Sequence, residues 1–237
     1  MVQFDPAVWP YLEGQSFSAS YKAAIRGDNT PIHDRIGFLE NLVTGKTVLH
    51  IGFTDHLGSI EGKLQAGTWL HGRMSRSAKR CAGVDINAEA IDFCRKRIGI
   101  EDIYQLDVTS TEPLHEWEQT QWDYIVLGEI LEHVSDPALF LRGLYARYGK
   151  FASCLVITVP NAFYAGNFTF ARQRIEFINT DHRYWFTPFT LAKIGLDSGW
   201  RLDEFHFVEV PTSFGIKTWL QKRHPMLRET MIGLLRP

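Results

Sequence analysis

Three residues able to hold a nucleoside stand at the ends of three successive short apolar runs. Gly52 closes the run Thr47–Ile51, Asp85 follows Cys81–Val84, and Asp107 follows Ile103–Leu106. A glycine at such a point lets a ligand approach the backbone closely, because no Cβ stands in the way. A carboxylate at the second point can accept both hydroxyls of a ribose. One at the third can accept an adenine amino group while Val108 packs on the ring. Taken singly, Gly52 reads equally as a turn residue and either acid as a helix N-cap. Their recurrence in order, one per run, is what turning and capping leave unexplained.

The runs that must position these residues alternate with helical patterns. Ile36, Leu39, Leu42 and Val43 recur at helical spacing and lead into Gly45. Thr47–Ile51 reads as a buried strand, the residues after Gly58 as a helix, and Cys81–Val84 as a second strand. Asn87 is placed to cap a helix through Arg97, with Ala88, Ile91 and Cys94 on one face. Ile103–Leu106 is a third strand. Trp122–Leu127 is a fourth, so apolar that both its faces must be covered. Asp136-Pro137 opens a helix through Arg147, and Leu155–Val159 makes a fifth strand. Thr187-Pro188 opens a helix that Gly199 stops, and Trp200–Val210 is a sixth strand. A basic stretch, Lys217–Arg223, reads as a solvated helix face before a last strand over Thr230–Leu235.

Such alternation predicts an α/β fold: a Rossmann-like, doubly wound, mostly parallel sheet with helices on both faces. No repeat or Gly/Ser linker interrupts it, so one domain over 1–237 is expected. Within it we expect a helical cap over 1–45 and an aromatic lid or substrate wall over 162–186.

The chain carries 25 Lys+Arg against 27 Asp+Glu, a formal net charge of −2. That is not the basic excess of a polyanion binder, so nucleic acid is disfavoured and a small-molecule acceptor preferred. Its three cysteines, Cys81, Cys94 and Cys154, lack metal-pair spacing and suit buried thiols in a reducing cytoplasm. The first residues show no basic start followed by an apolar run. No apolar stretch approaches the ~20 residues needed to span a bilayer. A cytoplasmic location is therefore expected, while the oligomeric state leaves no mark in the sequence.

The stretches KTVLHIGFTDHLG, GVDIN, QLDV, DYIVLGEILEHVSDPALFL, LVITVPNAF and DHRYWFTPFTLAKIGLDSGW carry a family resemblance. From about Gly45 to Val208 the chain resembles class I S-adenosylmethionine (SAM)-dependent methyltransferases. The small-molecule group that includes ubiquinone O-methyltransferases is the most similar. The resemblance implies a seven-stranded sheet of order 3-2-1-4-5-7-6 with the last strand antiparallel. It places Gly52 beside the methionine moiety of SAM, Asp85 with its neighbour Ile86 at the ribose, and Asp107-Val108 at the adenine. Leu127, Gly128 and Glu129 line the methyl-donor pocket. One loop departs from the family, where an acid precedes the first Ile-Gly and two glycines follow it. Here His50, Phe53, Thr54 and Asp55 stand instead, with Gly58 arriving late. Asp55 is the candidate to replace the missing acid. The alternative is a degraded pocket, and with it a catalytically silent SAM- or partner-binding module.

Methyl transfer is an in-line displacement in which the protein aligns donor and acceptor and excludes water. A hydroxyl or amine acceptor also needs its proton removed. His133, just past the fourth strand, is the first candidate base. His182, with Asp181 to orient its ring, is the second. Their plain structural alternatives are a loop cap and a lid hinge. The pattern Glu129-x-x-Glu132-His133 resembles the metal-binding element of small-RNA 2′-O-methyltransferases and of some ubiquinone O-methyltransferases. With His182 as fourth ligand it would hold Mg²⁺ or a transition metal against a substrate hydroxyl. His33, His56, His71, His115, His206 and His224 form no recognisable constellation.

The leading expectation is SAM-dependent methylation of a hydroxyl or amine on a small, sugar-like or aromatic metabolite. A metal-assisted RNA 2′-O-methyltransferase is the enzyme alternative. A nicotinamide dehydrogenase would need a glycine-rich turn that Phe53-Thr54-Asp55 does not provide.

Overall fold

Each apolar run marked as a strand becomes one, within two residues of its expected ends. A computed structural model describes residues 2–27, 30–209 and 215–237. Val210, the last residue of the expected sixth strand, and the side chain of Lys217 lie outside the described residues. The strands are β1 (Val2–Phe4), β2 (Ile25–Gly27), β3 (Thr47–Ile51), β4 (Arg80–Asp85), β5 (Ile103–Gln105), β6 (Tyr124–Gly128), β7 (Leu155–Pro160), β8 (Arg201–Val208) and β9 (Thr230–Arg236). The helices are α1 (Trp9–Leu12), α2 (Arg35–Leu42), α3 (Leu57–Gln65), α4 (Leu70–Ser77), α5 (Ala88–Phe93), α6 (Pro137–Tyr148), α7 (Ala165–Arg172), α8 (Pro188–Asp197) and α9 (Ile216–Arg223).

The strand order is β2-β1-β8-β9-β7-β6-β3-β4-β5. Taken from β3 onward, this is the expected order 3-2-1-4-5-7-6, and β8 and β9 pair antiparallel. The expected count of seven is corrected to nine, because β1 and β2 add an antiparallel pair. The 1–45 stretch is correspondingly not a purely helical cap. Val2 and Phe4 are buried and Gln3 is exposed, the alternation of a strand with one covered face. Three residues are too few for that period to stand out in a sequence.

The chain forms two compact units, one made of residues up to Arg35, Glu129–Arg142 and Ile157–Arg236, the other of Ile36–Gly128 and Gly143–Val156. In the second unit β6-β3-β4-β5 are parallel neighbours. Their central residues, among them Val48, Leu49, Ala82, Val84, Ile125 and Val126, are fully buried, as strands covered on both faces require. Local chemistry sets the helix starts. The Asn87 side chain accepts from Ala90 N–H at 3.1 Å and that of Asp136 from Leu139 N–H at 2.9 Å. Thr187 and Thr190 cap α8 reciprocally behind Pro188. In the first unit, β1, β8 and β9 supply Phe4, Phe205, Phe207 and Ile232 to the core. Cys81, Cys94 and Cys154 are all buried free thiols. Among the described residues no helix is long and apolar enough to cross a membrane.

Candidate active site

Register brings the nucleoside-binding candidates of the second unit to one sheet edge. Ile51 is level with Val84 on one side and Leu127 on the other, so Gly52, Asp85 and Gly128 emerge side by side. Gly52 N–H donates to Val84 O at 2.8 Å and Leu106 N–H to Asp85 O at 3.0 Å, which carries the alignment on to Asp107. Gly52 has φ 69°, a left-handed turn that favours glycine. Asp85 Oδ2 accepts from Thr54 Oγ1 at 2.8 Å, and its Oδ1 accepts from Asn87 N–H at 2.9 Å. The carboxylate is thus held in one orientation at the strand end. Thr54, which the sequence marks only as a departure from the family loop, is a residue that holds it. Ile86, next in the chain, is 73% exposed, an apolar side chain left bare on this edge. Asp107 is exposed and its Oδ1 accepts from Thr109 N–H at 2.9 Å, while Val108 is buried.

The altered loop resolves into three different roles. Phe53 is buried in a cluster with Ile60, Trp69, Ala90, Ile91, Cys94 and Ile103. A Cβ on Gly83 would lie 2.8 Å from the Phe53 ring, so that glycine makes the room. Asp55 adopts φ 64°, strained for a residue with a Cβ. Its carboxylate pairs with Lys63 and accepts from His56 N–H at 2.9 Å. Burial alone would raise this carboxyl, but these bonds outweigh it and hold it below its ordinary value.

His50, which stands where the family has an acid, is buried, its Nδ1 3.2 Å from Nδ1 of the fully buried His71. One ring nitrogen must donate and the other accept, so at least one of the two rings stays neutral. Around His71 stand Phe53 and Trp69, with Cys81 Sγ at 3.8 Å. Burial pushes the His71 imidazole down to about 3, against a slight opposing pull from Asp102. A folded value below the unfolded one, about 6.5, means the contribution to stability is complete above pH 6.5 and lost as pH falls toward 3. At pH 4.5 that loss is about 3 kcal/mol, as an order of magnitude. His71→Phe should therefore lose less stability than the wild type between pH 7 and 4.5. Urea midpoints at the two pH values measure this, and parallel losses would show that His71 does not carry the acid sensitivity.

The carboxylate–histidine cluster lies in the first unit. Glu129 has φ 58°, a second strained position directly after Gly128. Its N–H donates to Thr158 O at 3.1 Å, its Oε1 accepts from Thr158 Oγ1 at 2.9 Å, and Arg35 stands 3.6 Å away. Burial still raises its pKa above the ordinary carboxylate value. Glu132, on a tight turn at Leu131–His133, is fully buried, and neither of its oxygens has a hydrogen-bond partner among the described residues. Burial, then the charge of Glu129, raises Glu132 to about 8. His182 Nε2 is 4.0 Å from Glu132 Oε1, and His182 Nδ1 is buried without a hydrogen-bond partner among the described residues. The His133 and His182 rings meet edge to face with centroids 4.7 Å apart. One ligand atom from each of Glu132, His133 and His182 lies within 4.8 Å of the other two. Buried polar atoms are ordinarily satisfied. A buried, unpartnered carboxylate with two imidazoles within ligand distance is what a divalent cation would complete, so the donor set fits a metal. Glu129 does not join this trio.

Backbone fastening keeps the trio together. Arg183 N–H donates to Glu132 O at 2.8 Å, its guanidinium reaches His133 O, and Tyr184 Oη donates to Ser135 O at 2.8 Å. Arg35, Thr158 and Arg183 were not readable as site residues, since their partners are remote in the chain.

A family model described as a methyltransferase domain matches residues 66–204, more than half of the chain. The chain belongs to the SAM-dependent methyltransferases, and its sheet order is the one that family resemblance implies. Comparison with curated proteins returns no match. Among solved structures, the methyltransferase domain of bacterial CtHen1-CN is 16% identical with TM-score 0.52, covering 86% of this chain and 97% of that one. The small RNA methyltransferase HEN1 is 16% identical with TM-score 0.56, over 90% of this chain and 27% of that one. Magnesium protoporphyrin IX methyltransferase from Synechocystis PCC 6803, solved with S-adenosylhomocysteine (SAH), is 13% identical with TM-score 0.51, over 85% and 80%. At these identities the likeness is one of fold.

Proposed function

We propose that the chain transfers the methyl group of SAM to a hydroxyl of a small, sugar-like or aromatic acceptor, with a divalent metal held by Glu132, His133 and His182. The observation that carries the proposal is the fully buried, unpartnered Glu132 carboxylate facing two histidines. A hydroxyl acceptor suits such a site better than an amine, because a hydroxyl held against a cation ionises readily, whereas an amine needs only a base to take its proton. A divalent cation bound there would favour the ionised hydroxyl and fix its oxygen.

The chain's own residues supply the rest. Asp85 accepts the ribose hydroxyls from an orientation that Thr54 and Asn87 already fix. Asp107 accepts from the adenine amino group, and the bare Ile86 side chain packs beside the ribose. Gly52 brings backbone up to the methionine moiety, and Gly128 delivers the chain to Glu129. The segment 162–186 holds His182 in place through Arg183 and excludes water over the acceptor.

Two measurements test this. Asp85→Ala should weaken SAH binding about 10- to 100-fold by calorimetry, the value of hydrogen bonds to a charged group. Unchanged affinity would remove Asp85 from the ribose. Chelator-treated protein should regain one Mg²⁺, Mn²⁺, Co²⁺ or Zn²⁺ per chain, with a raised melting temperature and restored methyl transfer to a catechol or sugar panel. A protein that retains no metal under these conditions would return His133 to the role of simple base.

A terminal RNA ribose is the second reading, favoured by Glu129-x-x-Glu132-His133 joined to His182. Methylation of short RNA ends in preference to every small hydroxyl compound would establish it.

A further inference from the structure

The first unit contains a cleft of about 490 Å³ lined by none of the residues assigned above to SAM or to the metal. That volume falls within the range of small-molecule sites. Its floor is apolar and largely aromatic: Val2, Ile25, Phe163, Phe168, Phe207 and Leu227. Its polar side chains among the described residues are Arg26, Arg223 and His224, and none of these described lining residues is a carboxylate. Arg26 pairs with Asp5 outside the cleft, and the Arg223 guanidinium lies 6.0 Å from the Trp219 ring centroid.

The walls are built, not incidental. The buried Asn161 amide donates to Met226 O at 2.8 Å and Arg228 O at 2.7 Å, and its carbonyl accepts from Phe163 N–H at 3.0 Å. One side chain thereby joins two faces of the cleft. The buried Arg228 guanidinium donates to Gln221 O at 3.0 Å and Phe207 O at 2.9 Å, fixing the turn behind it. The same wall leads to the metal-type cluster. Asn161 bridges Phe186, so both ends of the segment bearing Phe163, Phe168 and His182 are tied together. Only part of the floor is already covered, and Phe168 remains 52% exposed.

An apolar floor with the Arg223 guanidinium and the His224 imidazole at its rim selects one ligand chemistry. We propose that this cleft binds an amphipathic anion: an acyl chain or aromatic body on the phenylalanines, with a carboxylate, phosphate or sulfate at Arg223 and His224. Neutral apolar compounds would gain the floor without the rim. Amphipathic cations would meet repulsion at the opening.

The test is calorimetric titration of the full chain with decanoate, decanol and decyltrimethylammonium. Decanoate is expected to bind one per chain and at least about tenfold tighter than the other two. Arg223→Glu and Phe168→Asp, both at exposed positions, should each weaken decanoate about tenfold or more with unchanged melting temperature. Glu132→Met should leave it unaltered, so loss of the metal reading and loss of this one are separable. Equal binding of anion and cation, or decanoate binding indifferent to both substitutions, would overturn the proposal. If decanoate competes with a methyl acceptor once one is found, the cleft is an acceptor subsite; if both bind together, it serves an effector.

Discussion

Glu132→Met is expected to lower methyl transfer about 100-fold or more while making the metal-free protein more stable. The two effects share one cause. Glu132 is fully buried with both oxygens unpartnered among the described residues, and the neighbouring charge that bears on it most is another acid, Glu129. Burying a polar group without a hydrogen bond costs about 1–3 kcal/mol, and an ion costs more. Methionine has similar length and no such penalty, so the apo variant should gain about 1–3 kcal/mol, roughly 2–10 °C in melting temperature. Under the proposed metal-assisted reaction, the variant would also lose a ligand of a cation worth several kcal/mol of transition-state stabilisation. Melting curves with and without Mg²⁺ or Mn²⁺, set beside turnover, separate the outcomes. The wild type should respond to metal and the variant should not. A variant that is both less stable and fully active would show Glu132 to be a packing residue.

The sheet was legible because its strands are long enough for pattern to speak. Thr47–Ile51 is predicted to the residue, and β4, β6 and β7 are runs whose composition fits burial on both faces. Gly52, Asp85 and Asp107 could be aligned before any geometry was known because parallel strands in register end level. What escaped reading depends on distance in the chain. His50 stands where the family's acid would be, yet it meets His71, 21 residues later, in a buried pair. No local pattern announces that contact. Glu129 illustrates the same limit from the other side. Its spacing to Glu132 and His133 predicts a shared ligand set, but Thr158 and Arg35, at sequence distances no motif covers, draw its carboxylate away. His182 joins Glu132 and His133 as the motif implies, held by Arg183 bonds invisible in the sequence. Short elements fail for a different reason, since β1 and β2 are defined by pairing with each other, and β1 with β8 at Val2, more than by any pattern in their own three residues.

Arg147→Met should destabilise the chain by about 3–5 kcal/mol, the expected result of leaving one buried charge without its partner. Arg147, in the last turn of α6, donates Nε to Glu118 Oε1 at 2.6 Å and Nη2 to Oε2 at 2.8 Å. Tyr148 Oη adds a third bond at 2.6 Å, and His115 N–H a fourth at 2.9 Å. Glu118 has no exposed surface, so no water stands ready to replace the guanidinium. Burial would raise the Glu118 carboxyl, yet these four bonds together hold it below its ordinary value. Arg147 Nη1 also satisfies Ser110 O at 2.8 Å and Glu112 O at 3.0 Å, which fastens the loop after Asp107. The damage should therefore reach the nucleoside edge, and SAH affinity should fall with stability. Glu118→Met combined with Arg147→Met removes both charges, and more than half of the lost stability should return, because an apolar pair replaces a buried ion pair at little cost. Urea unfolding of the two single variants and the double variant closes the cycle. Additive losses would mean that the ion pair contributes no coupling, and that α6 is held by packing alone.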